Sequence, residues 1–220
     1  MPPAMKNEPI QRDTCAACER PRVVCLCPWL VTVEHRTPVV VLRHPNEARH
    51  ALNTARLLQQ MGSRVRVVDG EVFAPDEVLE SGHRPALLFP GESARLLVEH
   101  VQSTQNAPNA EPKPPPLQLV VLDGTWSKAR RIFALNPWLA ELPQFRVELG
   151  PSRYILRKRA PEGGSTLEAV VAALGLLEGP AERFEPMLAA LDQMMAFQRE
   201  AMGEARFQQD FGERLPDVEP

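Results

Sequence analysis

Three short runs, "VVVL" at 39–42, "ALLF" at 86–89 and "LQLVVL" at 117–122, are apolar at almost every position. A strand with one face in water alternates apolar and polar residues. Runs like these belong in a sheet covered on both faces. Helical patterns separate them. In "EARHALNTARLLQQMG", Ala48, Ala51, Leu52, Ala55, Leu58 and Met61 recur at three and four, which predicts a helix with Asn46 near its start and Gly62 as its C-cap. Further strands are expected at 64–68 and 145–149, and a helix over about 92–102. "STLEAVVAALGLLE" (165–178) reads as a helix opened by Ser165 and Glu168 in capping-box spacing, and 184–207 as one long helix with Pro186 in its first turn. Strands alternating with helices predict an α/β fold, a mainly parallel sheet flanked by helices. In such sheets, ligands sit outside the carboxyl ends of the strands. This domain spans 38–207, with the Pro-rich 103–116 as an exposed loop; the polar segments 1–14 and 208–220 are expected to be tails.

"LQLVVLDGTWSKARR" shows where a site would lie. Asp-Gly after a strand signals a hairpin, which requires a second strand. Instead Trp126, Ala129, Ile132 and Phe133 follow at helical spacing, closed by Asn136-Pro137. The order is strand, short loop, helix, with Thr125 or Ser127 available to cap the first turn. Asp123 is thus placed at a strand's carboxyl end beside a helix start. Two roles stay open. Asp123 and Thr125 are capping groups with Trp126 as core filling, or Asp123 is a working carboxylate and Trp126 walls a base pocket.

All four cysteines fall in "CAACERPRVVCLC": Cys15, Cys18, Cys25 and Cys27. A C-x2-C pair and a C-x-C pair joined by a turn at "ERPR" are what a tetrahedral thiolate site needs. The alternatives are disulfides or incidental buried thiols. The first residues lack the apolar core of a signal peptide, and no run approaches the ~20 apolar residues of a membrane span. The expectation is a cytoplasmic protein, where disulfides are disfavoured. Four sulfurs fill a tetrahedral shell, so segment 15–37 is expected to hold a structural zinc that supplies its folding free energy.

The net charge of −3 gives no sign of a nucleic-acid partner, but its distribution is uneven. Basic residues gather around Arg43 and His44, around Lys128, Arg130 and Arg131, and around Arg153, Arg157, Lys158 and Arg159, which flank Tyr154. These are either solvated charge runs or a surface for RNA phosphates. With a single tyrosine, a broad stacking platform for single strands is not supported. No G-x-G-x-x-G, Walker A, G-x-S-x-G or H-E-x-x-H motif is present, so dinucleotide, P-loop and the standard hydrolase chemistries lack support.

Taken in order, "CAACERPRVVCLC", "LRHPNEARHALNTARLL", "LLFPGESA", "LDGTWSKARRIFALNP", "SRYILRKR" and "STLEA" resemble the DTW-domain proteins, the tRNA-uridine aminocarboxypropyltransferases related to the SPOUT superfamily. The resemblance covers roughly 15–178. Arg43 stands where a glutamine would be expected, and the 103–116 insert is longer than a minimal connection. The resemblance implies a SPOUT-like, knotted fold. It implies transfer of the 3-amino-3-carboxypropyl group of S-adenosylmethionine to N3 of a tRNA uridine, releasing methylthioadenosine. Its partner is tRNA; no membrane is expected and no protein partner is predicted. On this reading Asp123, Thr125 and Trp126 are catalytic. Leu122, Asp123, Trp126, Ser165, Thr166, Leu167 and Glu168 bind the donor, and the basic residues above, with Tyr154, bind RNA. The rivals are a SPOUT-type RNA methyltransferase, with the same donor but the methyl transferred, and a non-catalytic zinc-dependent RNA-binding protein.

Overall fold

The apolar runs pair side by side in a single sheet. The structure is a computed structural model that describes residues 13–91, 93–106, 114–154 and 164–211. Its elements are β1 (Val39–Arg43), α1 (Thr54–Met61), β2 (Val65–Asp69), α2 (Pro75–Val78), β3 (Arg84–Leu88), β4 (Arg95–Leu96), α3 (Leu97–Gln105), β5 (Leu117–Asp123), α4 (Trp126–Leu135), α5 (Trp138–Glu141), β6 (Gln144–Arg146), α6 (Thr166–Glu178), α7 (Glu185–Met202) and α8 (Glu204–Phe211). The six strands lie in the order β2-β1-β5-β3-β6-β4, and the pairings between them are parallel.

Pleating sorts the side chains. Val39, Val41, Leu119, Val121 and Phe145 face α1, α6 and α7, where Leu58, Leu174 and Leu191 complete the larger core. Val40, Leu42, Val120 and Leu122 face the other way and pack with Val78 of α2, Ala129 and Ile132 of α4 and Leu139 of α5. β1 and β5 are buried on both faces, as their composition predicts, while the edge strand β2 is half-exposed.

Several boundaries differ from expectation. The first helix starts at Thr54, not near Asn46. The Asn53 side chain accepts from the Arg56 amide and takes the cap, and Pro45–Glu47 form a separate 3-10 turn capped by His44. The helix expected from 92 begins at Leu97, because Arg95 and Leu96 first pair with β6. It runs to Gln105, into the stretch read as loop. β6 stops at Arg146 rather than 149, because its partners β3 and β4 reach no further. The last long helix is broken at Gly203, whose φ of +81° suits glycine, and α8 then runs to Phe211. Phe207 and Phe211 are both buried there, so the chain stays packed beyond 208. At the other end Thr14 bridges to Pro21, and Asp13 accepts from Arg22 at 2.9 Å. The rest of the expected tails, half of the Pro-rich loop (107–113), and Arg157, Lys158 and Arg159 lie outside the described residues. Among the described residues, no helix is long and apolar enough to cross a membrane.

Phe207 is fully buried, with the Arg199 guanidinium 4.7 Å from its ring centroid. Phe207→Ala is expected to lower stability by ~3–5 kcal/mol, a fall in melting temperature of roughly 10 °C by calorimetry. An unchanged melting temperature would return this end of the chain to a tail.

Candidate functional site

β1, β2 and β5 end level with one another, so Arg43 has Asp69 on one side and Asp123 on the other in register. All three side chains take the α1/α6 face of the pleat. Arg43 grips Asp69 through Nε and Nη2, at 2.6 and 3.0 Å, and donates through Nη1 to Asn53 Oδ1 at 3.1 Å. Asn53 Nδ2 donates to Asp123 Oδ2 at 2.7 Å, and Thr166 Oγ1, in the first turn of α6, donates to Asp123 Oδ1 at 2.6 Å. Asp123 is 4% exposed. Burial raises its carboxyl above the ordinary carboxylate range, against the lowering effect of the Thr166 and Asn53 hydrogen bonds. Sequence reasoning found Asp123 and missed Asp69 and Asn53. "VVDG" at 67–70 repeats the strand-Asp-Gly signal of "VLDG" at 121–124 and could have found Asp69. Asn53 is hidden inside a helical pattern.

The next residues turn the other way. Leu122 is buried against α4, and Thr125 occupies the N-cap position of α4 without a side-chain capping bond; its hydroxyl meets Ser127 Oγ at 3.2 Å instead. Trp126 is 38% exposed and sits 6.0 Å from Phe89, which stacks on Phe133. Trp126 is therefore not core filling. It walls a cleft of about 710 Å³ at the carboxyl ends of β3 and β6, with Phe89, Pro90, Arg146, Val147 and the 149–152 turn on the other sides. This volume suits a small-molecule ligand. Asp123 is not among the cleft's lining residues.

The start of α6 closes the cleft through Gly164 and Ala169. The expected capping box is present: Ser165 Oγ accepts from the Glu168 amide at 3.2 Å, and Glu168 accepts from the Ser165 amide at 2.6 Å. Glu168 also takes the Ser152 hydroxyl and the Arg153 amide, at 3.0 and 2.7 Å, and so ties the 149–152 wall to the helix. The Ser165, Thr166 and Glu168 side chains, expected on the donor, are thus engaged within the protein. Leu167 is fully buried in the core.

The residues expected on an RNA surface are dispersed. Arg43 and His44 are buried; His44 Nε2 lies 2.8 Å from Glu71. Their placement inside the polar cluster removes them from a surface for phosphates. Lys128 pairs with Glu47, Arg131 with Glu71, and Arg153 with Glu185 and Asp192. Tyr154 packs on the larger core, its hydroxyl 3.4 Å from the Leu52 carbonyl. Arg130 is exposed.

The four cysteine sulfurs lie within 4.8 Å of one another, with Cys15–Cys27 and Cys18–Cys25 at 3.5 and 3.6 Å. Tetrahedral sulfurs on Zn–S bonds of ~2.3 Å stand about 3.8 Å apart, so the set fits a thiolate-bound metal and not disulfides. Backbone hydrogen bonds, first at Cys18, pull the Cys15 thiol down to about 6, while the hydrogen bond with Cys15 pushes Cys27 up to about 12. Four sulfurs this close share protons unless a cation draws all of them into the thiolate form. The knuckle docks on α7 through Trp29 and Phe197, edge to face at 5.9 Å, and on α1 through Gln60 and the Ala17 carbonyl.

Native protein is expected to carry one zinc per chain by mass spectrometry. Cys18→Ser should lose it, with a fall in melting temperature of about 6–12 °C, the shift for ~3 kcal/mol in a domain of this size. The Asp123 carboxyl gives a second expectation. Its raised native value means that the folded chain keeps a proton the unfolded chain has lost. Stability therefore falls as pH rises from the ordinary carboxylate range through the raised value. Asp123→Asn removes that ionisation, so its melting temperature should equal or exceed wild type at neutral pH. The gap should close below the unfolded Asp value of about 3.9. A lower melting temperature at neutral pH would make the buried charge net stabilising.

The DTW domain family matches residues 12–199 of the chain. Among curated proteins, the chain is 32% identical to tRNA-uridine aminocarboxypropyltransferase 2 of Drosophila melanogaster, over 87% of this chain and 77% of that protein. It is 31% identical to tRNA-uridine aminocarboxypropyltransferase A of Arabidopsis thaliana, over 86% of this chain and 81% of the relative. It is 30% identical to tRNA-uridine aminocarboxypropyltransferase 2 of Mus musculus, over 91% and 68%. No solved structure matches. The residues in register at the strand ends and the helix caps around them stand on segments that this family match spans, and the chain belongs to the DTW-domain family.

Proposed function

We propose that this protein transfers the 3-amino-3-carboxypropyl group of S-adenosylmethionine to N3 of a tRNA uridine. The observation that carries the reading is a nucleoside-sized cleft walled by a half-exposed tryptophan, one loop away from a buried carboxylate at the same strand ends. The names of the relatives support the same reaction. An adenine or uracil ring fits against Trp126 and Phe89, where an indole offers area and stacking. Uridine N3 must lose its proton to become a nucleophile. Asp123 is assigned that proton; it lies one loop behind the cleft wall, so the assignment requires the uracil edge to reach past Trp126, and the carboxyl's raised affinity for protons supports it. The carboxylate keeps free lone pairs beyond the two that Thr166 and Asn53 occupy. As the N3–C bond forms to the chain carbon beside sulfur, the C–S bond breaks and its electrons stay on sulfur, leaving neutral methylthioadenosine.

Kinship with SPOUT enzymes and a knotted path are part of this proposal and rest on the family resemblance; the cleft at strand carboxyl ends is where such sheets place a ligand. The four-cysteine knuckle fits a structural zinc, and its unbridged thiols fit a cytoplasmic setting. Arg130 and the basic 157–159 segment are the proposed phosphate contacts, with binding that weakens as salt rises.

Incubation of the protein with unmodified tRNA and S-adenosylmethionine should yield a modified uridine by nucleoside mass analysis, with methylthioadenosine in equal amount. S-adenosylhomocysteine in its place would mean methyl transfer. Asp123→Asn should cut the transfer rate by about 10²-fold or more while keeping donor affinity. A loss of donor affinity instead would give Asp123 the donor's ammonium group to hold.

A further inference from the structure

Arg146 is the only charged side chain lining the cleft, among the described residues. It ends β6, opposite Leu96 in register, and the pleat that buries Phe145 in the core turns Arg146 the other way. It is exposed. Other arginines of this end of the molecule are committed. Arg43 grips Asp69, Arg131 grips Glu71, and Arg153 spans Glu185 and Asp192. Arg146 has no acid within 4.0 Å and no hydrogen-bond acceptor among the described residues, so its guanidinium is available to a ligand. Apart from the Ser152 hydroxyl, the rest of the described lining is apolar or aromatic.

We propose that Arg146 recognises the carboxylate at the end of the donor's aminocarboxypropyl chain; this rests on the function proposed above. At neutral pH the donor carries a sulfonium, an ammonium and one carboxylate. The carboxylate is its only anion, and Arg146 is the cleft's only charged side chain. A guanidinium offers two parallel N–H groups in the spacing of a carboxylate, and the apolar walls strengthen the contact by excluding water. Arg146 thus discriminates between the ends of the donor. With the ring end against Trp126 and Phe89 and the chain end on Arg146, the carbon beside sulfur is stretched between two fixed points. That fixes the chain carbon, rather than the methyl, for attack. A tRNA phosphate presents similar oxygens, so the test separates the two.

Titration calorimetry would compare S-adenosylmethionine, its decarboxylated form and methylthioadenosine on wild type and on Arg146→Gln. Wild type should bind S-adenosylmethionine about tenfold more tightly than the decarboxylated form. Arg146→Gln should erase that difference and leave the other two ligands unchanged. Arg146→Lys, which keeps the charge but not the fork, should keep part of it. Equal losses for all three ligands would overturn the proposal in favour of a role in cleft shape. Unchanged donor affinities with weaker tRNA binding would overturn it in favour of phosphate. A wild-type protein that binds none of the three would remove the functional reading itself, and the proposal with it.

Discussion

The Arg43–Asp69 pair, extended through Asn53 to Asp123 and Thr166, is the interaction on which the rest of this end of the molecule depends. It joins three strand ends, the cap of α1 and the first residue of α6 in one connected network. Such a network is costly to bury and rigid once satisfied. Asp69 is partly open to water, which lessens the desolvation of the ion pair, while Asp123 is sealed inside and bears the larger penalty. The arrangement therefore concentrates electrostatic stress on one carboxylate. A protein retains such stress where chemistry needs it.

Pleating divides the labour. Residues 43 and 123 point to the face under α1 and α6, while 122 and 146 point to the face of α4. A polar cluster and an apolar cleft are thus built at one sheet end, the cleft drawing its walls from both faces. Gly124 lies between them. A Cβ there would meet the Lys128 Cβ at 3.0 Å, so only a glycine lets the loop fold tightly enough to start α4. Glu168 performs the matching task at α6, fixing the helix start and the far wall of the cleft with one carboxylate.

Much of this was legible in the sequence. The apolar runs gave the parallel sheet, the spacing after Trp126 gave strand, loop and helix, and Ser165 with Glu168 gave the capping box. Those signals are local, each contained within one turn or one strand. What was not legible depends on pairing at a distance. Asn53 reads as a mid-helix polar residue until a carboxylate seventy positions away draws its amide. Arg43 and His44 read as surface cations because nothing nearby in sequence shows that Asp69 and Glu71 will enclose them. Arg146 reads as an ordinary strand residue until the sheet order shows where β6 stops. Charge by itself predicts an ion, and only topology says whether that ion faces water, a ligand or an acid.

The strand order has a consequence for how the chain assembles. β1 and β2 are made early and can pair at once, but β3 touches neither; β5 must slip between β1 and β3 before the halves become one sheet. Residues 39–43 wait for 119–123, a separation that makes ring closure slow and leaves strand edges bare in the meantime. Asp123 rides on that bridging strand. A half-made chain on the ribosome therefore has the cysteine knuckle but no carboxylate cluster, and the reactive end of the molecule comes into being only after β5 has entered the sheet and α6 has brought Thr166 to Asp123.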